Sequence, residues 1–211
     1  TWAARPSRRA TMHEADVRPL LLADHAAGNG PPLLLLHGGK GSHRHWDRVF
    51  APLAQSFAVH APDLPGYGRS PDVPDPADGD AYVALAAASL APLVAAAGVH
   101  MIGFSFGGAV AAGVARAWGA RVVRLSLIGP GGFGRPEGRR LDIRSSAGTD
   151  GSDAARREVI RHNLGATMFA DPATADADAI SQQLWNVAHA RFDSLKVSQQ
   201  LRVLDDLAHV A

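Results

Sequence analysis

The chain of 211 residues is 46% hydrophobic and 19% charged, which is enough apolar material for one domain with a packed core and too much for a disordered protein. Its 21 Lys and Arg residues balance 20 Asp and Glu residues, so the net charge of +1 gives no strong field to attract a nucleic acid or an acidic membrane. The sequence contains no cysteine, which excludes disulfides, thiolate metal sites and cysteine nucleophiles from it.

No segment of the sequence is predicted to cross a membrane or to act as an export signal. The longest apolar stretch, residues 81–99, is rich in alanine and is interrupted by Ser89 and Pro92, which is typical of a helix in a soluble domain. The first 11 residues are basic, but no apolar segment follows them. A disordered leader is therefore expected at residues 1–11, and the cytoplasm is the expected compartment.

Strand and helix patterns alternate from residue 33 to residue 128, which is typical of a doubly wound, mostly parallel α/β sheet. Continuous apolar runs such as residues 33–36 favour central strands that helices cover on both faces. One or two antiparallel edge strands are expected in residues 11–24, and Asp80 is expected to cap a helix that Pro92 kinks. The predicted strands cover residues 33–36, 57–61, 99–104 and 122–128, and the predicted helices cover residues 46–55, 80–97 and 106–118.

Beyond residue 141 the sequence shows only helical periodicity. The predicted helices cover residues 154–169, 176–192 and 194–210. The preceding stretch, residues 129–140, is rich in Gly, Pro and Arg and is interpreted as a boundary. The sequence therefore predicts an α/β core at residues 12–138 and a helical cap or lid at residues 139–211.

The segment Gly103-Phe104-Ser105-Phe106-Gly107 directly follows a predicted strand and begins a predicted helix. A tight strand-to-helix turn lifts a serine hydroxyl above the sheet, and the small residues two positions before and after it relieve steric crowding. The N-terminus of the following helix favours negative charge that develops on a substrate oxygen. Ser105 is therefore the candidate nucleophile, although the motif alone is equally compatible with a plain strand-to-helix turn.

A second loop, His37-Gly38-Gly39, follows the predicted strand at residues 33–36. A backbone N–H from such a loop usually acts together with the N–H of the residue after the nucleophile, so Gly39 and Phe106 are predicted to form an oxyanion hole. Glycine in this loop lets backbone and substrate approach closely. The candidate substrate-binding residues are Gly38, Phe104, Trp46 and Trp185, and His43 and His45 are expected at the pocket mouth.

The two motifs, together with the segment at residues 63–70, occur in the order and approximate spacing of the α/β-hydrolase superfamily, which residues 12–130 resemble. The helical remainder is similar to the cap of that family. The resemblance implies a serine hydrolase that cleaves an ester or related acyl bond of a small molecule through an acyl-enzyme on Ser105. Neither a metal nor an organic cofactor is expected.

Three other interpretations remain open. Residues 38–46 and the cap resemble hydrolases of meta-cleavage products, which break carbon–carbon bonds, but those enzymes carry asparagine where this chain has Phe104. This departure favours an esterase over a carbon–carbon bond hydrolase. A non-catalytic ligand-binding module that keeps the hydrolase pocket and a truncated relic are the remaining alternatives.

The acid and the histidine of a catalytic triad follow the serine in the chain order of this superfamily. No counterpart of the strands that carry them is recognised before Ala211, and His162, His189 and His209 are interpreted as packing or solvated side chains. The resemblance therefore implies a C-terminally incomplete hydrolase that is nearly inactive by itself. The predicted strand at residues 122–128 would then have an open edge, at which pairing with a second copy of the chain is expected.

Overall fold

A computed structural model describes residues 17–74, 78–94, 98–134, 141–145 and 150–210 of the chain. The leader predicted at residues 1–11 and half of the predicted boundary, residues 135–140, lie outside the described residues. None of the helices in the described ranges combines the length and the hydropathy that a membrane span requires.

The centre of the fold is one five-stranded sheet with the order β1-β3-β2-β4-β5. β1 pairs antiparallel with β3, whereas all other neighbours are parallel. The strands are β1 (Asp24–Ala27), β2 (Pro32–Leu36), β3 (Ala58–Pro62), β4 (Val99–Phe104) and β5 (Val122–Ile128). The prediction of a mostly parallel α/β sheet is confirmed, and the four predicted parallel strands lie within one residue of their predicted bounds.

One antiparallel edge strand lies at residues 24–27, and residues 17–23 form no strand; the first part of the predicted 11–24, residues 11–16, lies outside the described residues. The carbonyl of Ala23, just before this strand, accepts the N–H of Asp63 at 2.8 Å, which continues the register of Asp24 opposite Pro62. The N–H of Ala23, however, donates to the Ser70 hydroxyl at 2.9 Å. Because this N–H bonds to a turn and not to β3, the regular ladder begins only at Asp24.

Helices cover both faces of the sheet, as a doubly wound arrangement requires. The helices are α1 (Asp47–Ala54), α2 (Gly79–Leu90), α3 (Phe106–Trp118), α4 (Asp153–Thr167), α5 (Ala177–Ala188), α6 (Leu195–Ser198) and α7 (Val203–Leu207). On one face, Phe50 of α1 packs against Leu33, Leu35 and Val59 of the sheet. On the other face, α2 and α3 form the larger part of the core, in which most of α3 is fully buried.

The structure corrects both ends of α2. Its cap is Asp78 and not Asp80, because the Asp78 carboxylate accepts the N–H groups of Asp80 and Ala81 at 3.0 and 2.8 Å. The helix ends at Leu90 and passes into a short 3-10 turn, Ala91–Leu93. Pro92 has no N–H to continue the helical hydrogen bonds, so it terminates the helix instead of kinking it.

The predicted helix at residues 194–210 is two short helices, α6 and α7. Between them the backbone pairs with a distant glycine-rich segment: the N–H groups of Arg202 and Val203 both donate to the carbonyl of Gly132, at 3.0 and 3.1 Å. Leu201 forms a single antiparallel bridge with Phe133. These bonds compete with helical ones and break the helix.

The segment predicted as a cap therefore has two different environments. α4 and α5 pack on each other through Ile160, Leu164, Ala175 and Ile180, apart from the sheet core. α6 and α7 instead pack against α3, with Val197 and Val203 in the main core. Pairing of two chains along the outer edge of β5 stays a prediction.

Candidate active site

The sheet order creates a crevice at the carboxyl ends of β2 and β4. These strands are neighbours, but the chain leaves β2 towards β3 on one side of the sheet and leaves β4 towards β5 on the other. Because the two following loops diverge, open α/β sheets bind their ligands at such a point. The loop after β2 carries Gly38 and Gly39, and the turn after β4 carries Ser105.

Ser105 occupies a strained backbone conformation, with φ 53° and ψ −116°. L-amino acids other than glycine rarely adopt this region, and residues held in it cluster at functional sites. Four backbone hydrogen bonds hold the turn in place: Ser105 N–H donates to the Ile128 carbonyl at 3.0 Å, and its carbonyl accepts the N–H groups of Gly108 and Gly131, both at 2.9 Å, and that of Ala109 at 3.3 Å. A serine held in a strained strand-to-helix turn is the arrangement that the sequence motif predicts.

The loop after β2 approaches this turn closely. A Cβ atom added to Gly38 would lie 3.4 Å from the Ser105 Cβ and 2.9 Å from the Phe104 ring, and one added to Gly39 would lie 3.6 Å from the Phe106 Cβ. Neither the Gly39 N–H nor the Phe106 N–H donates a hydrogen bond to any acceptor among the described residues. The structure thus brings together the serine and the two backbone donors that the sequence singled out.

His37 holds the loop in position. Its ring is fully buried, Nδ1 donates to the Gly38 carbonyl at 2.8 Å, and Nε2 accepts the N–H of Leu64 at 2.9 Å. This pair of bonds defines a neutral imidazole with the proton on Nδ1. Burial lowers the pKa of His37 from 6.5 to about 4, even though the bond to Gly38 opposes the shift.

The neutral state of His37 predicts a pH dependence of stability. The unfolded chain protonates this histidine near pH 6.5 but the folded chain only near pH 4, so the unfolded state binds more protons between these values. The contribution of His37 should therefore lower the free energy of unfolding by about 3 kcal/mol as the pH drops from 6.5 to 4. Urea unfolding of wild type and His37→Gln across this range tests it: the variant should be less stable at neutral pH and show a shallower slope.

A slope in the His37→Gln variant as steep as that of the wild type would contradict this account. Some dependence of the free energy of unfolding on pH is expected to remain in this variant, because burial also lowers the pKa of His45. A glutamine oxygen is able to accept the Leu64 N–H in place of Nε2, so the variant keeps one of the two bonds.

Asp63 fixes the turn after β3. One carboxylate oxygen accepts the backbone N–H of His43 at 2.8 Å and bonds its ring Nδ1 at 2.9 Å, and the other accepts the N–H of Arg69 at 2.9 Å. Burial by itself would raise the pKa of the Asp63 carboxyl, but the hydrogen bonds from His43 and Arg69 outweigh it and the pKa lies below its usual value. The ring of His43 is engaged at this turn and not at a pocket mouth.

A cavity of about 630 Å³ lies between the crevice and the layer formed by α4 and α5. Among the predicted site residues, Ser105, Phe104, Gly38 and Gly39 line it, together with His45. Its remaining lining comes from the loop after β2 and residue 129, from residues 141–145, and from the facing sides of α4 and α5: Lys40, Gly129, Leu141, Ile143, Arg144, Ser145, Arg156, Val159, Ile160, Asn163, Leu164, Thr167, Met168, Gln183, Leu184, Val187 and Ala188.

The structure does not bring the two predicted tryptophans to this cavity. Trp46 ends the 3-10 turn His43–Trp46 and packs into the core with Leu33 and Leu35. Trp185 stacks on His189 at 4.0 Å, with the Arg44 guanidinium 4.9 Å from its ring centre. Both tryptophans follow an apolar helical pattern, and the pattern does not reveal which packed surface each one meets.

Residues that the sequence did not single out, together with His45, hold α5 over the loop after β2. The Ser42 hydroxyl donates to Asn186 Oδ1 at 2.7 Å, and Gln183 Nε2 donates to the Lys40 carbonyl at 3.0 Å. His45 bonds on both sides, with Nδ1 accepting the Gly38 N–H at 3.3 Å and Nε2 facing Gln183 Oε1 at 3.5 Å. Polar side chains on a helix otherwise rich in apolar residues are the only sequence signal of this contact.

The histidines downstream of Ser105 are engaged elsewhere. His162 Nε2 bonds the Asp142 carbonyl at 2.8 Å, His189 Nδ1 bonds the Trp185 carbonyl at 2.7 Å, and His209 Nδ1 bonds the Asp205 carbonyl at 2.7 Å. Within the described ranges, no histidine hydrogen-bonds the Ser105 hydroxyl. The same ranges contain no group of three or more His, Cys, Asp or Glu side chains arranged to hold a metal ion.

Comparison with known proteins gives three kinds of likeness. The model of the alpha/beta hydrolase family matches residues 33–210. The chain is 38% identical to an uncharacterized protein of Mycobacterium tuberculosis over 50% of this chain and 31% of that protein. It is 32% identical to the dihydrolipoyllysine-residue acetyltransferase component of the acetoin cleaving system of Cupriavidus necator, over 74% of this chain and 38% of that one.

A further relative is the 2-hydroxy-6-oxo-6-phenylhexa-2,4-dienoate hydrolase of Comamonas testosteroni, 30% identical over 61% of this chain and 46% of that enzyme. The chain thus spans less than half the length of each of these three relatives. Among solved structures, an esterase from a Rhodococcus species matches 87% of this chain and 72% of its own, with a TM-score of 0.65 and 23% identity. A meta-cleavage product hydrolase from Pseudomonas fluorescens matches 91% and 70%, with a TM-score of 0.61 and 22% identity.

Proposed function

The chain belongs to the alpha/beta hydrolase family, and within that family we propose that it carries the nucleophile site of a serine hydrolase that cleaves esters of small molecules. The Ser105 oxygen attacks the ester carbonyl carbon, its proton passes to a base, and the alcohol leaves from the tetrahedral intermediate. Water then attacks the acyl-enzyme, releases the acid and restores the Ser105 hydroxyl.

The observation that carries this proposal is the position of Ser105 between two unoccupied backbone donors. The N–H groups of Gly39 and Phe106 donate to no described acceptor, and both belong to loops that meet at Ser105. Donors that are fixed before the reaction stabilise the negative charge of a tetrahedral intermediate without any reorganisation. A plain strand-to-helix turn requires neither the strained serine nor the second loop.

The cavity supports a small-molecule substrate. Its volume of about 630 Å³ lies within the range of small-molecule sites, and apolar side chains such as Phe104, Leu164 and Val187 form much of its wall. An acyl chain or an aromatic ring is the kind of group that such a wall binds. The esterase among the structural relatives agrees with this proposal at the level of the fold.

The described residues provide no histidine that acts as a general base for the Ser105 hydroxyl. Because no described histidine bonds the Ser105 hydroxyl, we expect the 211-residue chain by itself to turn over esters slowly. Removal of the base from a well-studied serine protease lowers turnover by on the order of 10⁶. An added external base such as imidazole is expected to restore part of the reactivity.

Labelling with an alkyl fluorophosphonate in the presence of imidazole tests the proposal. We expect one adduct in the intact mass of the chain, on the peptide that contains Ser105, and none in the Ser105→Ala variant. Ser145→Ala is the matched control, because Ser145 lines the same cavity, and it should label like the wild type. Equal labelling of Ser105→Ala, or no adduct at any imidazole concentration, would favour a non-catalytic binding module instead.

A carbon–carbon bond hydrolase is the second candidate, and the relative from Comamonas testosteroni favours it. Phe104 argues against it, because hydrolases of meta-cleavage products carry asparagine at this position. Phe104 lines the cavity next to Ser105. Turnover of a coloured dienone acid and of a simple aryl ester, both with added imidazole, separates the two candidates. The esterase proposal expects the aryl ester to react faster.

A further inference from the structure

We propose that the substrate carries an anionic group, a carboxylate or a phosphate, which the cationic side chains of Lys40, Arg144 and Arg156 bind in the cavity above Ser105. The inference rests on the proposed function of Ser105, because it concerns the substrate class of the same site. It starts from the charge of the lining: these three residues line the cavity, and no Asp or Glu among the described residues does. A cavity lined by one sign of charge concentrates ligands of the opposite sign.

The ion pairs of α4 separate the cavity side of this helix from its outer side. Arg157 donates to Asp153 at 2.6 Å, and Arg161 donates to Glu158 at 2.8 Å, both away from the cavity. Arg156, which lines the cavity, has no carboxylate or other acceptor among the described residues, and the same holds for the guanidinium of Arg144. The arginines of this region are thus paired except where they face the space that a substrate would occupy.

The backbone of Arg144 is fixed against α4. Its N–H donates to Asn163 Oδ1 at 2.8 Å, and its carbonyl accepts from Asn163 Nδ2 at 3.0 Å. His162, the neighbour of Asn163, holds Asp142 by a further bond of 2.8 Å. A guanidinium whose backbone is anchored in this way loses less conformational freedom when it binds an anion, which favours recognition.

The cavity side of α4 also indicates where the anion lies relative to the rest of the substrate. Arg156 lies near the N-terminal end of the helix, and Val159, Ile160 and Leu164 continue the same lining face towards its C-terminal end. A substrate with a charged end and an apolar body matches this sequence of side chains. The expected class is therefore an ester whose acyl chain ends in a carboxylate or a phosphate.

Binding to the Ser105→Ala variant tests the inference without any turnover. Three probes share a methyl ester followed by four methylene groups: monomethyl adipate, which carries a carboxylate, the neutral dimethyl adipate, and methyl 5-phosphonooxypentanoate, which carries a phosphate. Dissociation constants come from NMR titration at low ionic strength. We expect at least one anionic probe to bind about tenfold more tightly than the neutral one, as charge-assisted hydrogen bonds allow. The anionic probe with the lower dissociation constant shows whether the charged group of the substrate is a carboxylate or a phosphate.

Variants on α4 provide the matched comparison. Arg156→Gln and Arg144→Gln, each added to Ser105→Ala, should lower the affinity for the anionic probe about fivefold and leave the neutral probe unchanged. Arg157→Gln removes the same charge from the next position on the same helix, but this side chain pairs with Asp153, so its effect on the anionic probe should be less than about twofold.

Equal affinity for the neutral and the anionic probes would overturn the inference, and so would an equal loss in Arg156→Gln and Arg157→Gln. Failure of every probe to bind at millimolar concentration would also overturn it. These outcomes are distinct from failure of the proposed function: labelling of Ser105 without anion preference refutes only the substrate class, and anion preference without labelling refutes only the hydrolase activity.

Discussion

The Gly107→Ala variant is expected to lose on the order of 4 kcal/mol of unfolding free energy, together with the reactivity of Ser105 towards a fluorophosphonate. The reason is the close approach of α3 to the end of β2. A Cβ atom at residue 107 would lie 2.3 Å from the carbonyl oxygen of Leu36 and 2.4 Å from that of His37. Both contacts are with backbone atoms, so no side-chain rotation relieves them.

The loss of reactivity follows from the same contacts. To accept the methyl group, the N-terminus of α3 must move away from the loop that begins at His37, and this movement separates Phe106 from Gly39. The two backbone donors would then no longer converge on one oxygen, and loss of a single oxyanion donor already lowers turnover by about 10²–10³. Urea unfolding followed by circular dichroism and the rate of labelling measure the two effects.

Gly113→Ala is the control for this prediction, because it adds the same methyl group to the same helix. There the added Cβ would lie 2.6 Å from Val83 Cγ1 and 3.0 Å from an Arg202 nitrogen, which are side-chain atoms, so the buried side chains of Val83 and Arg202 must shift but no backbone atom is in contact. Overpacking should lower the free energy of unfolding by about 1–3 kcal/mol, and the higher helix propensity of alanine should restore about 1 kcal/mol of it. A loss in Gly113→Ala as large as that in Gly107→Ala would contradict the argument.

The elements nearest the site were predictable because local signals define them. Phe106–Trp118 and Val122–Ile128 have the predicted bounds, since Ser105 and Gly119 take positive φ angles at the two ends of the helix and an apolar strand follows. The motif around Ser105 and the glycines at residues 38 and 39 lie where two parallel strands end. Fold topology therefore brings them together without any information from side-chain packing.

The parts that escaped prediction depend on contacts between residues far apart in the chain. The break between α6 and α7 is caused by Gly132, which a helical pattern in residues 194–210 does not reveal. Trp46 packs with Leu33 and Leu35, and its place in the apolar pattern does not distinguish this contact from a cavity wall. Arg156 and Arg157 are adjacent and identical in type, and only the packing of α4 determines that the first faces the cavity.

The Arg202→Met variant is expected to lose about 3–5 kcal/mol of unfolding free energy. The Arg202 side chain is only 5% exposed, and its Nε donates to Asp206 Oδ2 at 2.9 Å, while the Asp206 carboxylate is 1% exposed. Arg202 also reaches Asp80 at 2.8 Å and thereby joins α7 to the first turn of α2. Without Arg202, the ion pair that Asp206 keeps among the described residues is the longer contact of 3.3 Å with Arg116.

The control for the lost ion pair is Asp205→Asn. Asp205 pairs with the same Arg116 at 2.9 Å, but its side chain is 55% exposed, so its removal should cost less than about 1 kcal/mol. The double variant Arg202→Met, Asp206→Leu should recover most of the stability, since the penalty comes from a buried carboxylate left with the longer contact to Arg116 and not from the absence of the pair. A double variant as unstable as Arg202→Met would show that the pair itself stabilises the fold.

The same ion pair is expected to affect Ser105 through the backbone. The N–H of Arg202 donates to the carbonyl of Gly132, and the N–H of the adjacent Gly131 donates to the carbonyl of Ser105 at 2.9 Å. Loosening α7 therefore weakens one of the bonds that hold the strained serine. Under conditions in which Arg202→Met remains folded, Ser105 should label more slowly than in the wild type, whereas the double variant should label at the wild-type rate. Wild-type labelling in folded Arg202→Met would show that the strain at Ser105 is held by β4 and α3 alone.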